Sequence, residues 1–219
     1  MWRAYLIVGG LLFSPAGSLA SGNRILPPKW EDEAITVSPT VTRDLVREFR
    51  LGAYAAQFEK TSLHEIQEKM GAGSLEQAGD AADSIRWLCY SLPGQRVWLV
   101  STEMGGSDAA LMEVFVDSLS PSTPVEPTCP TLPSTLRPPS LQFGWIGSPI
   151  STIRKSFGEP SGVRGDWLLY LFAGKEAGPY QGPGDTVPVT VDWDVSAYVE
   201  VKIREGKVVS IRASHVTSY

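Results

Sequence analysis

The chain has 219 residues, a formal net charge of −5, and an ordinary composition apart from 21 Gly and 17 Pro. An acidic chain with no basic stripe has little with which to neutralise phosphates, which argues against a nucleic-acid partner. A chain of about 200 residues can bury one sizeable core or two small ones.

The N-terminal stretch MWRAYLIVGGLLFSPAGSLASG sets one cation, Arg3, ahead of an apolar run from Tyr5 to Phe13, then breaks it at Pro15 and Gly17. Small residues at Ser18 and Ala20 complete the layout of a secretory signal peptide over residues 1–20, with cleavage expected after Ala20. The run falls short of the roughly 20 residues that span a bilayer, so no membrane span is expected. No cysteine follows the cleavage site, and no lipid anchor is expected there. Removing the segment takes away one basic residue and no acidic one, moving the charge from −5 to −6. Residues 21–48 read as a tail in which TRDLVREF forms a short helix, and RLGAYAAQFEK follows as a first strand.

SLHEIQEKMG then places Leu63, Ile66 and Met70 at helical spacing, with Thr61 or Ser62 as the cap and Gly71 as the stop. SLEQAGDAADSI has the look of a second small helix. The aromatic strand WLCY at residues 87–90 comes next, followed by RVWLVST and ALMEVFVDSL around the turn-rich EMGGSD. Residues 120–143 hold seven of the 17 prolines, too many for a sheet interior, and read as a semi-rigid linker.

Beyond the linker the pattern repeats. PISTIRKSFG aligns Ile150, Ile153, Phe157 and Gly158 with Leu63, Ile66, Met70 and Gly71, with Ser148 as the cap and Pro149 in the first turn. WLLY at residues 167–170 echoes WLCY. Residues 173–185, AGKEAGPYQGPGD, read as a long irregular loop. TVPVTVDWDV and AYVEVKIR then alternate apolar and polar residues, and EGK turns into VVSIRA. The expected fold class is α+β: two tandem helix-plus-antiparallel-meander repeats, at 49–119 and 144–219, joined by the Pro-rich linker.

Two cysteines, Cys89 and Cys129, form an even pair, which in an exported chain reads as a disulfide closing a loop of about 40 residues. A catalytic thiol needs a nearby base, and the chain has only His64 and His215.

A short helix ending in glycine (FGEP at residues 157–160), then an aromatic strand and an antiparallel meander, written twice, resembles the β-lactamase-inhibitor-protein-like family. Its single-unit form resembles the small lipoprotein of the outer-membrane barrel-assembly machine. The resemblance covers roughly residues 49–119 and 144–219. It implies a non-catalytic module that presents a sheet face or loops to another protein. The missing lipid-anchoring cysteine departs from the lipoprotein branch and counts against a barrel-assembly role.

Catalytic signatures are sparse. HEIQE at residues 64–68 has Glu68 where a zinc helix needs its second histidine. Neither a Ser-x-x-Lys nor a Gly-x-Ser-x-Gly motif is present, and GPGD lacks the lysine of a phosphate loop. Asp192 and Asp194 share a strand face without a third acid and read as solvated; the RGD at residues 164–166 reads as incidental. No catalytic residue, metal or cofactor is therefore expected, and the function expected is binding of a protein partner in the periplasm or outside the cell. Tyr180, among Gly and Pro, and Tyr198, on the polar face of its strand, are the candidate partner-binding residues. Trp87, Trp167 and Trp193 read as core, with the first two set against the helices; Tyr90 and Tyr170 are left undecided. Two other classes stay open: an envelope structural or assembly factor, and a hydrolase built on Asp192, Asp194 and His215.

Overall fold

The structure is a computed structural model, and it describes residues 25–30, 46–80, 83–120, 122–123, 128–136, 139–141, 143–184 and 186–218. The expected signal peptide and the first half of the expected helix in TRDLVREF lie outside these residues, and Val46 and Arg47 are not helical. The last two residues of that helix, Glu48 and Phe49, are instead the first two of strand β1 (Glu48–Leu51).

The elements run β1, β2 (Tyr54–Gln57), α1 (Leu63–Met70), β3 (Glu76–Ala78), β4 (Ile85–Leu92), β5 (Gln95–Ser101), β6 (Glu113–Ser118) and β7 (Pro139–Leu141). Then come α2 (Ile150–Phe157), β8 (Gly162–Arg164), β9 (Trp167–Tyr180), β10 (Val189–Arg204) and β11 (Lys207–Ser218). The predicted first strand is in fact the β1–β2 hairpin. Both core helices form where their apolar spacing puts them. Ser62 caps α1 by accepting from the Glu65 N–H at 3.0 Å, and Gly71 ends it in the left-handed conformation at φ 63°. At α2 the cap position falls on Pro149, and the Ser148 hydroxyl instead accepts from the Trp145 N–H at 3.0 Å.

The expected α+β fold of two helix-plus-meander repeats is overturned. Strand makes up 51% of the described residues and helix 14%. Each helix is only eight residues long, and the strands of both halves form one eight-stranded antiparallel sheet, ordered β3-β4-β5-β6-β11-β10-β9-β8. A second sheet, β2-β1-β7, has three strands. The physical reason lies at the seam. β6 and β11 would each be an exposed edge in separate units, and pairing Val116 with Ile211 and Val114 with Ala213 removes both edges at once.

Other expectations are corrected locally. The segment read as a second small helix carries β3, which pairs Glu76 with Trp87. The segment read as an irregular loop is strand as far as Tyr180, because Ala173 through Tyr180 continue the ladder opposite Ser196 through Val189. The proline-rich segment does not run free: the Ser91 N–H donates to Pro130 O, and the Leu132 N–H to Ser91 O, both at 2.9 Å.

The large sheet is covered on both faces along β4 to β6. One face holds the main core, where Leu63, Ile66, Ile153 and Phe157 of the helices pack on Leu88, Tyr90, Tyr170, Phe172 and Val199. The other face holds a smaller cluster of Trp87, Cys89, Trp98, Val100, Phe115 and Cys129, with Ile25 and Trp30 packed against it. Double burial explains why WLCY is apolar without alternation. It also corrects the expected orientation of the tryptophans. Trp87 is buried, but on the face away from α1, while Tyr90 faces the helix. Trp167 is buried too; its ring lies under Arg212 (4.5 Å) and Lys202 (5.3 Å) on that same far face, while Tyr170 packs on Phe157.

Candidate functional site

The β9–β10 hairpin extends beyond the rest of the main sheet. β11 pairs with β10 only as far as Asp194, so residues 189–193 of β10 have β9 as their one neighbour in the sheet. At about 3.3 Å per residue this leaves a two-stranded arm projecting some 17 Å. Tyr180 and Trp193 sit on one face of the arm, edge to face with ring centroids 5.9 Å apart, and both are half-buried. The Trp193 indole sits against Gly178. A Cβ there would come within 2.9 Å of Trp193 Cδ1, so glycine permits the contact. Val187 and Val189 nearby are 68% and 54% exposed. The Asp194 carboxylate pairs with Lys175 at 3.0 Å on the other face.

Trp193, read from its alternation as core, is therefore half-exposed. The alternation was real, but the arm runs past the end of the core. Tyr198 and Tyr180 are not brought together. Their positions on β10 and β9 lie on opposite faces, about nine residue pairs apart, or some 30 Å. The Tyr198 ring packs on Trp30 at 5.1 Å, and its hydroxyl donates to Glu200 Oε1 at 3.2 Å. Burial first, then the charge and hydrogen bond of Glu200, push the Tyr198 phenol up to about 12. Glu200, 1% exposed, also pairs with Arg164 (3.3 Å) and Arg212 (3.4 Å). The RGD tripeptide is thus held in ion pairs, its Asp166 meeting Lys202 at 3.7 Å.

Asp192, Asp194 and His215 do not converge. His215 lies opposite Ala197 and so faces the helices, whereas Asp192 and Asp194 alternate to the far face. His215 instead meets Glu59, 156 residues away, with Nδ1 at 2.9 Å from Oε2. The Thr217 N–H and hydroxyl both donate to the same carboxylate, each at 2.6 Å. Burial raises the Glu59 carboxyl, but these hydrogen bonds and the His215 charge outweigh it and hold the group below its ordinary value. Ionised, Glu59 accepts only, so His215 presents Nδ1–H to it. Glu59 adopts φ 62°, a left-handed backbone held in part by its N–H donating to Leu111 O at 2.7 Å. A cleft of about 170 Å³ opens beside the pair, lined by Arg47, Lys60 and Glu176 among others, and neither serine nor cysteine lines it. Arg47 pairs with Glu176 at its mouth. No sequence signal marks this pair, because its members come from a turn and a terminal strand with no shared motif.

The predicted disulfide is present: Cys89 and Cys129 are bonded, with Cα atoms 4.7 Å apart. His64 is exposed on α1. Among the described residues no group of three or more His, Cys, Asp or Glu is placed to hold a metal ion, and no helix is long and apolar enough to cross a membrane. Comparison of the chain with family models, with characterised proteins and with solved structures gave no match.

Proposed function

We propose that this chain is an exported, non-catalytic protein-binding module that presents the β9–β10 arm to a protein partner in the cell envelope or outside the cell. The observation that carries the reading is the half-buried aromatic pair Tyr180–Trp193 on a projecting arm, with Val187 and Val189 open to solvent beside it. Aromatic side chains of this kind anchor protein interfaces, and apolar surface on an extension outside the core has no folding role. The disulfide suits an oxidising compartment, and the signal-peptide layout of residues 1–20 supports export.

The test is capture. The chain from Ser21 to Tyr219 is immobilised and exposed to an envelope extract of the source cell, alongside a double variant, Tyr180→Ala with Trp193→Ala. A stoichiometric protein retained by the first and released by the second is the expected result. Equal retention by both would sink the reading.

A second reading, an envelope assembly factor acting by strand addition, is favoured by the edge of β9 beyond Leu169, along which no described strand pairs. β8 pairs with β9 only from Trp167 to Leu169. Pro179 and the Lys175–Asp194 pair blunt that edge. Capture of a set of outer-membrane barrels in place of one partner would select it.

A further inference from the structure

A cavity of about 640 Å³ lies on the far face of the main sheet, under the segment at residues 25–30. Its roof is Leu26, Pro27 and Pro28, its floor Ile85, Val100 and Phe115, and Trp30 and Glu113 close one side. The volume falls in the range of small-molecule sites, and the lining has their character, mostly apolar with a few polar groups.

Glu113 is the unusual member. It is partly buried, and its Oε1 accepts from the Trp30 indole N–H at 2.9 Å. Burial, reinforced by the charge of Glu103 and opposed by the Trp30 hydrogen bond, leaves its carboxyl above the usual range. Lys29 and Asp83 also line the cavity, but among the described residues Glu113 makes no ion pair. A partly buried carboxylate without a cation is costly, and bringing one in offsets the cost. The walls beside it suit that role. Trp30, half-buried and packed on Phe115 with ring centroids 5.4 Å apart and tilted by 57°, lines the cavity beside Glu113 and supplies an aromatic wall of the kind that favours a positive charge.

We propose that this cavity binds a small organic cation, an amine or quaternary ammonium on an apolar body, with Glu113 as counter-ion and the Trp30 ring as an aromatic wall. The site is independent of the β9–β10 arm and goes beyond the partner-binding role. Glu113→Gln keeps an oxygen to accept from the Trp30 indole and removes only the charge, so it isolates the electrostatic part.

The test is calorimetric titration of the purified protein with choline and with phenyltrimethylammonium, using 3,3-dimethylbutan-1-ol as the neutral isostere of choline. Nitrogen-edited NMR of the tryptophan indoles is recorded in parallel. The expected result is saturable binding of the cations, weakened roughly tenfold or more for the neutral isostere and in E113Q, with the Trp30 indole N–H peak moving on binding. The proposal is overturned if neither cation saturates, if the isostere binds as tightly as choline, or if the Trp30 peak stays still. If E113Q does not fold, the comparison of choline with its isostere on the wild-type protein decides the matter alone.

Discussion

Glu59 concentrates several costs in one residue, a left-handed backbone and a partly buried charge, and offsets them with three donated hydrogen bonds that tie the β2–α1 turn to the end of β11. Its folded carboxyl titrates below its unfolded value. The stabilisation is therefore complete above the unfolded pKa, about 4.3, and is lost as pH falls through the lower folded value. Glu59→Gln should cost about 1–3 kcal/mol at pH 7, because the amide cannot accept all three bonds. Urea denaturation of both proteins at pH 7 and at pH 3 checks this, and the gap between them should narrow at the lower pH. An equal gap at both values would mean that Glu59 is not ionised in the folded protein. The Glu59–His215 pair was illegible in the sequence, because a turn residue and a strand residue so far apart meet only after β11 has joined β6.

At the scale of elements, the alternation in β10 was readable and correctly set Val195, Ala197, Val199 and Val201 on one buried face. What alternation cannot encode is where the neighbouring strand stops. Trp193 follows the same parity as Val195, yet β11 ends opposite Asp194, and the side chain passes from core to arm. Gly178 tests the local geometry of that arm. Gly178→Val should push Trp193 off its seat, since a Cβ would already lie 2.9 Å from the indole Cδ1. The expected outcome is a shifted Trp193 indole peak with the other indoles unmoved. The melting temperature should change little, because the arm lies outside the main core. A global loss of stability would show instead that the arm is part of the folding unit.

For the whole molecule, the second layer on the far face is the feature with the widest consequence. The disulfide anchors the proline-rich segment to β4 across 40 residues of sequence, and Cys129 is fully buried beside Trp98 and Phe115. The chain-entropy estimate for a loop of this length is about 4 kcal/mol. The Cys89→Ala, Cys129→Ala double variant should lose about that much in urea denaturation, and reductant should bring the wild type to the same level. A loss much below 2 kcal/mol would mean that the backbone bonds between Ser91 and the Pro130–Leu132 stretch hold the segment without the cystine.

The sequence by itself determined the short-range features. Ser62, Gly71 and the i, i+3, i+7 apolar spacing specify α1 whatever surrounds it. Alternation specifies β10 and β11, and a chain with two cysteines leaves them one possible pairing. The tertiary structure decided whether the two halves stood apart or shared a sheet, which side of the sheet each tryptophan faced, and that Glu59 would meet His215. The first group depends on contacts within a few residues, where side-chain chemistry and backbone periodicity leave little choice. The second depends on which strand edges find each other, and hydrogen-bonding edges are alike in every strand. Only the packed molecule selects β6 for β11, and with that choice the faces, the arm and the cavity under Trp30 are set.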